Sequence, residues 1–254
     1  MVSRDARTSR LVHRVRVGET PLREVYDGGS VWVSLFGAGQ VVAVDPRSAR
    51  IVHRVRLPGQ PEGITAAFGA IWVVRQAAHK LTRISPGGTV GPSYPLGSEP
   101  RLVAAGAHAL FVADVTDDTI TRIDPSTGAR TVSGKVCDGP QDLVDASGTL
   151  WVACTRSDRV VAVDETTLRV IARLHVAGEP DGERVADGKL YVVATTGPTV
   201  YQVRIGGRPA VVGKRVLGRA LPLEDLANVD LVLTAGRIWV SSFGQDKLLD
   251  VPAR

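Results

Sequence analysis

Apolar and polar positions along this chain fall into a text that repeats. An apolar run with an aromatic residue at its centre, Val31-Trp32-Val33, follows Gly29-Ser30. A small-polar break, a second apolar run Val41-Val42-Ala43-Val44 and a turn at Asp45-Pro46 come after it. The aromatic run returns as Ile71-Trp72-Val73, Leu110-Phe111-Val112, Leu150-Trp151-Val152, Leu190-Tyr191-Val192 and Ile238-Trp239-Val240, so the spacings are 40, 39, 40, 40 and 48 residues. A fixed period near forty in text rich in valine and glycine predicts a β-propeller, because each unit is one small sheet that buries its faces only against its neighbours. Six units predict an all-β, six-bladed β-propeller of four-stranded blades, one domain over residues 1–254.

Within a unit the pattern resolves four short strands. In the second unit they are expected at 62–67, 71–74, 81–84 and 89–96, bounded by Gly, Pro, Asp and Ser, with no helical periodicity. A proline stands eleven residues before the aromatic at Pro21, Pro61, Pro100, Pro140 and Pro180, and Asn228 replaces it in the sixth unit. Proline at the first residue of a strand loses no ladder bond. The turn between third and fourth strands reads Asp45-Pro46, Asp124-Pro125 and Asp164-Glu165. Aspartate first and proline second is turn chemistry, so these repeated carboxylates read as structural.

Residues 10–17 nearly copy 50–57, which makes the N-terminal stretch a fourth strand, while 247–252 reads as a third strand with no fourth. The two pieces are expected to complete one another, closing the ring with an N-terminal strand in the last blade and removing an open sheet edge. The long last spacing places eight extra residues within 219–227, with Leu221, Leu223 and Leu226 giving that loop apolar surface. A long loop on a rigid scaffold is a natural carrier of function.

Composition changes this picture little. The chain has 254 residues, 44% apolar and 22% charged, with a net charge of +5. Arg14, Arg16, Arg54, Arg56 and Arg173 fall on outer strands and spread around a rim, where charge deters edge pairing. Nucleic-acid binding would need a contiguous basic face, so no nucleic-acid partner is expected. No apolar run reaches the ~18 residues of a membrane helix, so no membrane insertion is expected. The N-terminus lacks a signal-peptide core, which reads as cytoplasmic or as a start that replaced a signal or anchor; the extracytoplasmic reading is preferred. A monomer is expected.

The units resemble YVTN-type and virginiamycin B lyase-like bacterial propellers. The resemblance rests on Pro61-Glu62-Gly63-Ile64, on Gly69-Ala70-Ile71-Trp72-Val73 and on Val41-Val42-Ala43-Val44-Asp45-Pro46, and it covers nearly the whole chain. It implies the propeller fold, and in the lyases a metal-assisted chemistry that uses a histidine and an acidic residue in the top-face cleft. Of the five histidines, His13, His53 and His175 are expected on outer strands and His108 on the opposite face. Only His79 falls in a top-face loop, without a matching acidic motif.

Candidate site residues follow from the repeat. Positions just after each proline and at the ends of second strands should surround the channel mouth on the top face. They are Arg23, Glu62, Arg75, Arg101, Asp114, Gln141, Asp142, Arg156, Asp181 and Asp230. Mixed arginine and carboxylate suits a small polar molecule, or a peptide or protein, better than an apolar ligand. The same carboxylates could take a divalent cation or neutralise the nearby arginines, and no cofactor is assigned. Cys137 and Cys154 are expected at neighbouring strand ends, either bonded or as two separate small apolar residues. No phosphate loop, nucleophile elbow or zinc spacing is present. The reading is a non-catalytic sensor or scaffold propeller, with a metal-dependent lyase or hydrolase as the alternative.

Overall fold

The computed structural model describes residues 1–196, 198–217, 229–242 and 247–253, so the expected insertion at 219–227 lies outside the described residues. Among these residues the secondary structure is 25 strands and two short 3₁₀ turns. An N-terminal pair, β1 (Val2–Arg4) and β2 (Leu11–Arg14), precedes the first blade, β3 (Pro21–Asp27), β4 (Ser30–Leu35), β5 (Gln40–Asp45) and β6 (Arg50–Arg56). The second blade is β7 (Pro61–Ala67), β8 (Ala70–Arg75), β9 (Lys80–Ile84) and β10 (Val90–Pro95). The third is β11 (Pro100–Ala105), β12 (Leu110–Asp114), β13 (Thr119–Ile123) and β14 (Arg130–Val132). The fourth is β15 (Pro140–Asp145), β16 (Thr149–Cys154), β17 (Arg159–Asp164) and β18 (Val170–His175). The fifth is β19 (Pro180–Ala186), β20 (Lys189–Ala194), β21 (Thr199–Arg204) and β22 (Ala210–Val216). The sixth is β23 (Val229–Thr234), β24 (Arg237–Ser242) and β25 (Lys247–Pro252). Each blade is a sheet whose strands lie in chain order, the meander expected from the four-segment repeat.

The chain forms two compact units. One comprises Met1–Asp117 with Thr121–Thr131, the other Asp118–Ile120 with Val132–Arg254. Both follow the same packing rule: the aromatic of a second strand inserts into the next blade. In the first unit Trp32 is buried among Ile64, Ile71 and Ile84, and Trp72 among Val103, Leu110 and Ile123. In the second unit Trp151 packs on Leu190, Val192 and Val203, and Tyr191 on Leu231, Ile238 and Val240. The aromatic is thus the fastener between blades, which is why the period carries an aromatic at all.

First strands lie side by side within each unit, β3–β7–β11 in one and β15–β19–β23 in the other. Two glycines set that approach. A Cβ on Gly63 would stand 2.4 Å from the Arg101 carbonyl oxygen, and one on Gly182 would stand 3.1 Å from the Val229 carbonyl oxygen. Neither site admits a side chain without moving backbone.

The expected pairing of 10–17 with the last blade needs correction. β2 takes β1 as its partner, and the last blade has three strands among the described residues. Residues 2–17 copy the third and fourth strands of a unit, not the fourth alone: Asp5 repeats the turn role of Asp45. Its carboxylate accepts from the Arg7 and Thr8 amides and from the Thr8 hydroxyl. A hairpin closed by a six-residue turn loses far less chain entropy than a pairing across the whole sequence, so the local partner wins.

The other turn aspartates behave as expected. Asp124 accepts from Ser126 and Thr127, and those bonds hold its carboxyl down at about 2. Asp45 and Asp164 are lowered for the same reason.

Candidate functional site

The prolines that open the first strands do more than mark their start. In β3, β7, β11 and β15 the ladder to the second strand shifts between the proline and the third residue after it, and in β19 between Pro180 and Gly182. A bulge re-aims the side chains it contains. Arg23, Glu62, Arg101, Gln141, Asp142 and Asp181 all sit in these bulges. Opposite the prolines stand the ends of the second strands: Arg75 faces Pro61, Asp114 faces Pro100 and Cys154 faces Pro140. Both sets of sequence-predicted residues therefore gather at one end of their blades.

In the first unit these residues are largely engaged with one another. Glu62 is 1% exposed and pairs with the Arg101 guanidinium at 2.8 Å, across from β7 to β11; Glu99 lies 4.0 Å from the same guanidinium. Arg23 is buried, and its backbone exchanges hydrogen bonds with the Ser34 hydroxyl. Arg75 is turned aside: its Nε donates to the Pro58 carbonyl at 2.7 Å. Asp114 is fully buried and accepts from the Gly97 amide at 3.0 Å and the Thr121 hydroxyl at 2.5 Å. Burial outweighs those bonds and pushes its pKa up to about 6. The carbonyl of Gly97 in turn accepts from His79 Nδ1 at 3.0 Å, which fixes the proton on Nδ1, since a carbonyl can only accept. His79 and Asp114 are thus bridged through one glycine.

The raised pKa of Asp114 gives a pH dependence with a definite sign. The native state keeps the proton to about pH 6 while the unfolded carboxyl releases it near pH 4, so Asp114 makes stability fall as pH rises through that window. The whole contribution is about 3 kcal/mol for a shift of this size. Urea unfolding of wild type and Asp114→Asn between pH 4 and pH 7 should show the variant lacking that component of the slope. Equal slopes would place Asp114 in a solvated environment instead.

In the second unit an arginine missing from the sequence reading organises the site. Arg184 of β19 reaches Asp230 of β23 at 2.9 Å and Asp142 of β15 at 3.5 Å, so one guanidinium spans three first strands. Asp142 also accepts the Glu183 amide, and Asp181 accepts the Val229 amide, each at 2.9 Å. These carboxylates tie each first strand to the next, a structural duty alongside any binding role. Glu183 is fully buried, and burial with the neighbouring Asp142 charge pushes its pKa well above the usual carboxylate range. The sequence did carry a signal for the pair: Glu183 and Arg184 occupy slots that read Glu24 and Val25, Ile64 and Thr65, Val103 and Ala104, Leu143 and Val144 in the other proline-led units. Two adjacent charges occur there in this unit alone. Gln141 is half-buried on β15 beside this group. Arg156, on the turn Thr155–Ser157, packs its aliphatic stem against Gly139.

Cys137 and Cys154 form a disulfide with a Cα–Cα distance of 6.0 Å, deciding between the two readings left open by their spacing. Among the described residues no three His, Cys, Asp or Glu side chains are grouped to hold a metal ion, and no helix is long and apolar enough to cross a membrane.

The bladed all-β architecture is that of a β-propeller. Among solved structures it is similar to virginiamycin B lyase from Staphylococcus aureus in selenomethionine form, at 16% identity and TM-score 0.81, over 99% of this chain and 87% of that one. A catalytically inactive virginiamycin B lyase from the same organism, with quinupristin, gives 16% identity and TM-score 0.79 over 97% and 86%. BamB from Moraxella catarrhalis gives 17% identity and TM-score 0.66 over 98% and 74%. Identities this low show the fold. No protein-family model and no curated protein matches the sequence.

Proposed function

We propose that this chain is a binding propeller that takes a small zwitterionic molecule or a peptide at the starts of β15, β19 and β23, the first two of which are bulged there. The observation that carries the reading is Arg184, held between Asp142 and Asp230 yet 40% exposed. A ligand carboxylate can approach that guanidinium bidentately while a ligand ammonium meets Asp230, so charges already in register need little reorganisation. On this reading the chain is a sensor or scaffold domain. The Cys137–Cys154 bond supports an oxidising, extracytoplasmic setting.

The test is a thermal-shift screen of amino acids, short peptides and polar metabolites, followed by titration calorimetry of any hit. Arg184→Ala and Asp230→Asn should weaken binding at least tenfold, whereas Arg54→Ala and Arg173→Ala on outer strands should leave it unchanged. Loss in the outer pair with unchanged binding in the first pair would move the site to the rim.

One observation favours the lyase reading as a second possibility: the His79–Gly97–Asp114 bridge places a histidine with a fixed tautomer next to a carboxyl of raised pKa. Turnover of a screened ligand that His79→Ala abolishes and Arg184→Ala spares would favour that reading over the binding one.

A further inference from the structure

β19 holds one side chain that packing does not explain. Glu183 is 0% exposed, in a slot that three other proline-led units fill with Ile64, Val103 and Leu143. The first unit also has a glutamate there, Glu24, but that one is exposed. A carboxyl at a core position fills space no better than an aliphatic side chain, and burying it as an ion is costly, so it stays neutral by keeping its proton.

The elements packed against β19 are β15, β16, β20 and β23. β16 brings Ala153 and no charged side chain. β20 places Val192 opposite Glu183; its Lys189 lies at the far end of the strand opposite Ala186, and its Tyr191 turns into the next blade. β15 brings Asp142, with Asp145 at its far end opposite Leu150, and β23 brings Asp230. Asp181 and Arg184 stand on β19 itself. Asp142 accepts the Glu183 amide at 2.9 Å, and Arg184 donates to the Glu183 carbonyl at 2.6 Å and to Asp142 at 3.5 Å. Glu183 is thus built into the group that holds Arg184. Burial raises its pKa, the Asp142 charge adds to the rise, and the Arg184 charge and the Ala153 amide only partly offset them.

We infer that Glu183 carries a proton coupled to the charge of Arg184, so that this proton and a ligand carboxylate on Arg184 favour one another. The ligand half of this statement rests on the reading of Arg184 as the ligand's anchor. The cause is charge. With Glu183 neutral, Asp142, Arg184 and Asp230 together carry one negative charge; an ionised Glu183 makes it two. A carboxylate paired with Arg184 offsets the positive charge that favours ionisation, so binding tightens the hold of Glu183 on its proton. Linkage is reciprocal, so the proton strengthens binding by the same factor. The site is therefore selective for the pH as well as for the ligand: it takes an anionic or zwitterionic molecule while Glu183 is protonated and releases it as the proton leaves.

Glycine betaine is the probe, because neither its carboxylate nor its quaternary ammonium titrates between about pH 5 and about pH 9. On the full chain, the side-chain carboxyl resonance that disappears in Glu183→Gln reports Glu183 by NMR. Without betaine it is expected to titrate above the ordinary carboxylate range, lower in Asp142→Asn and higher in Arg184→Gln. Betaine affinity by titration calorimetry is expected to fall by up to about tenfold per pH unit through the Glu183 transition. It should stay flat in Glu183→Gln, which keeps a neutral side chain of the same shape. A Glu183 resonance titrating in the ordinary carboxylate range, or one unmoved by both neighbouring substitutions, would overturn the inference, as would the wild-type pH profile persisting in Glu183→Gln. If betaine binds at no pH while the resonance shifts as expected in both variants, the proton coupling stands and the placing of the ligand on Arg184 falls.

Discussion

Trp72→Ala is expected to cost about 3–5 kcal/mol, the range for deleting a buried aromatic from a core that cannot collapse. Trp72 is 0% exposed and lies against Val103, Leu110, Val112 and Ile123 of the following blade. Its ring also tilts against Tyr94 at 6.0 Å, and its Nε1 donates to the Ala67 carbonyl at 3.0 Å. The substitution removes a dispersion partner from two blades at once and leaves that carbonyl without its indole donor. Trp72→Phe keeps most of the packing but loses the hydrogen bond and part of the ring volume, so it should cost about 1–3 kcal/mol, less than Trp72→Ala. Equilibrium urea unfolding measures both. A loss below about 1 kcal/mol for Trp72→Ala would show that the aromatic is not what fastens one blade to the next.

The second large effect is expected at the disulfide. Cys137 and Cys154 are 17 residues apart, and a cross-link closing a loop of that length restricts the unfolded chain by about 3 kcal/mol. In a chain of this size that corresponds to a fall in melting temperature of roughly 6–12 °C. The loop runs from the start of the fourth blade's first strand to the end of its second, so the bond also holds the bulge containing Gln141 and Asp142. Melting with and without reductant, beside the Cys137→Ser, Cys154→Ser double variant, should give the same lowered value for the reduced and double-variant proteins. An unchanged midpoint on reduction would mean that the first two strands of this blade hold their ends together without the cross-link.

These two results bear on different features of the repeat. The aromatic fastens blade to blade at Trp32, Trp72, Trp151 and Tyr191, and the loss of one of these should resemble the loss of another. The disulfide occurs once, in the blade that supplies Asp142 to the Arg184 group. A binding site on β15, β19 and β23 would therefore be sensitive to reduction even though neither sulfur touches it.

The strands, their order within each blade and the aromatic at the centre of each second strand follow from the forty-residue period alone. A period of that length with alternating turn chemistry admits few other folds, because the pattern states which residues each sheet must bury. The gathering of post-proline residues and second-strand ends at one end of each blade was also legible, since it depends only on register within a sheet. The sequence placed Cys137 near Cys154 for the same reason. Contacts between strands of different blades were not legible in this way. Arg184 joining Asp142 to Asp230 spans residues 42 and 46 positions away. Glu62 with Arg101, and Asp181 with the Val229 amide, likewise depend on how closely neighbouring first strands approach. Tertiary packing sets that approach at Gly63 and Gly182, and turned half of the ten predicted site residues, Glu62, Arg101, Asp142, Asp181 and Asp230, into ties between first strands. The N-terminal hairpin shows the same division. Its sequence copies two strands of a unit, but whether its fourth-strand copy paired locally or with the last blade was a competition between chain entropy and long-range pairing. The short turn at Asp5 decided it, since a six-residue closure costs less than one spanning the chain.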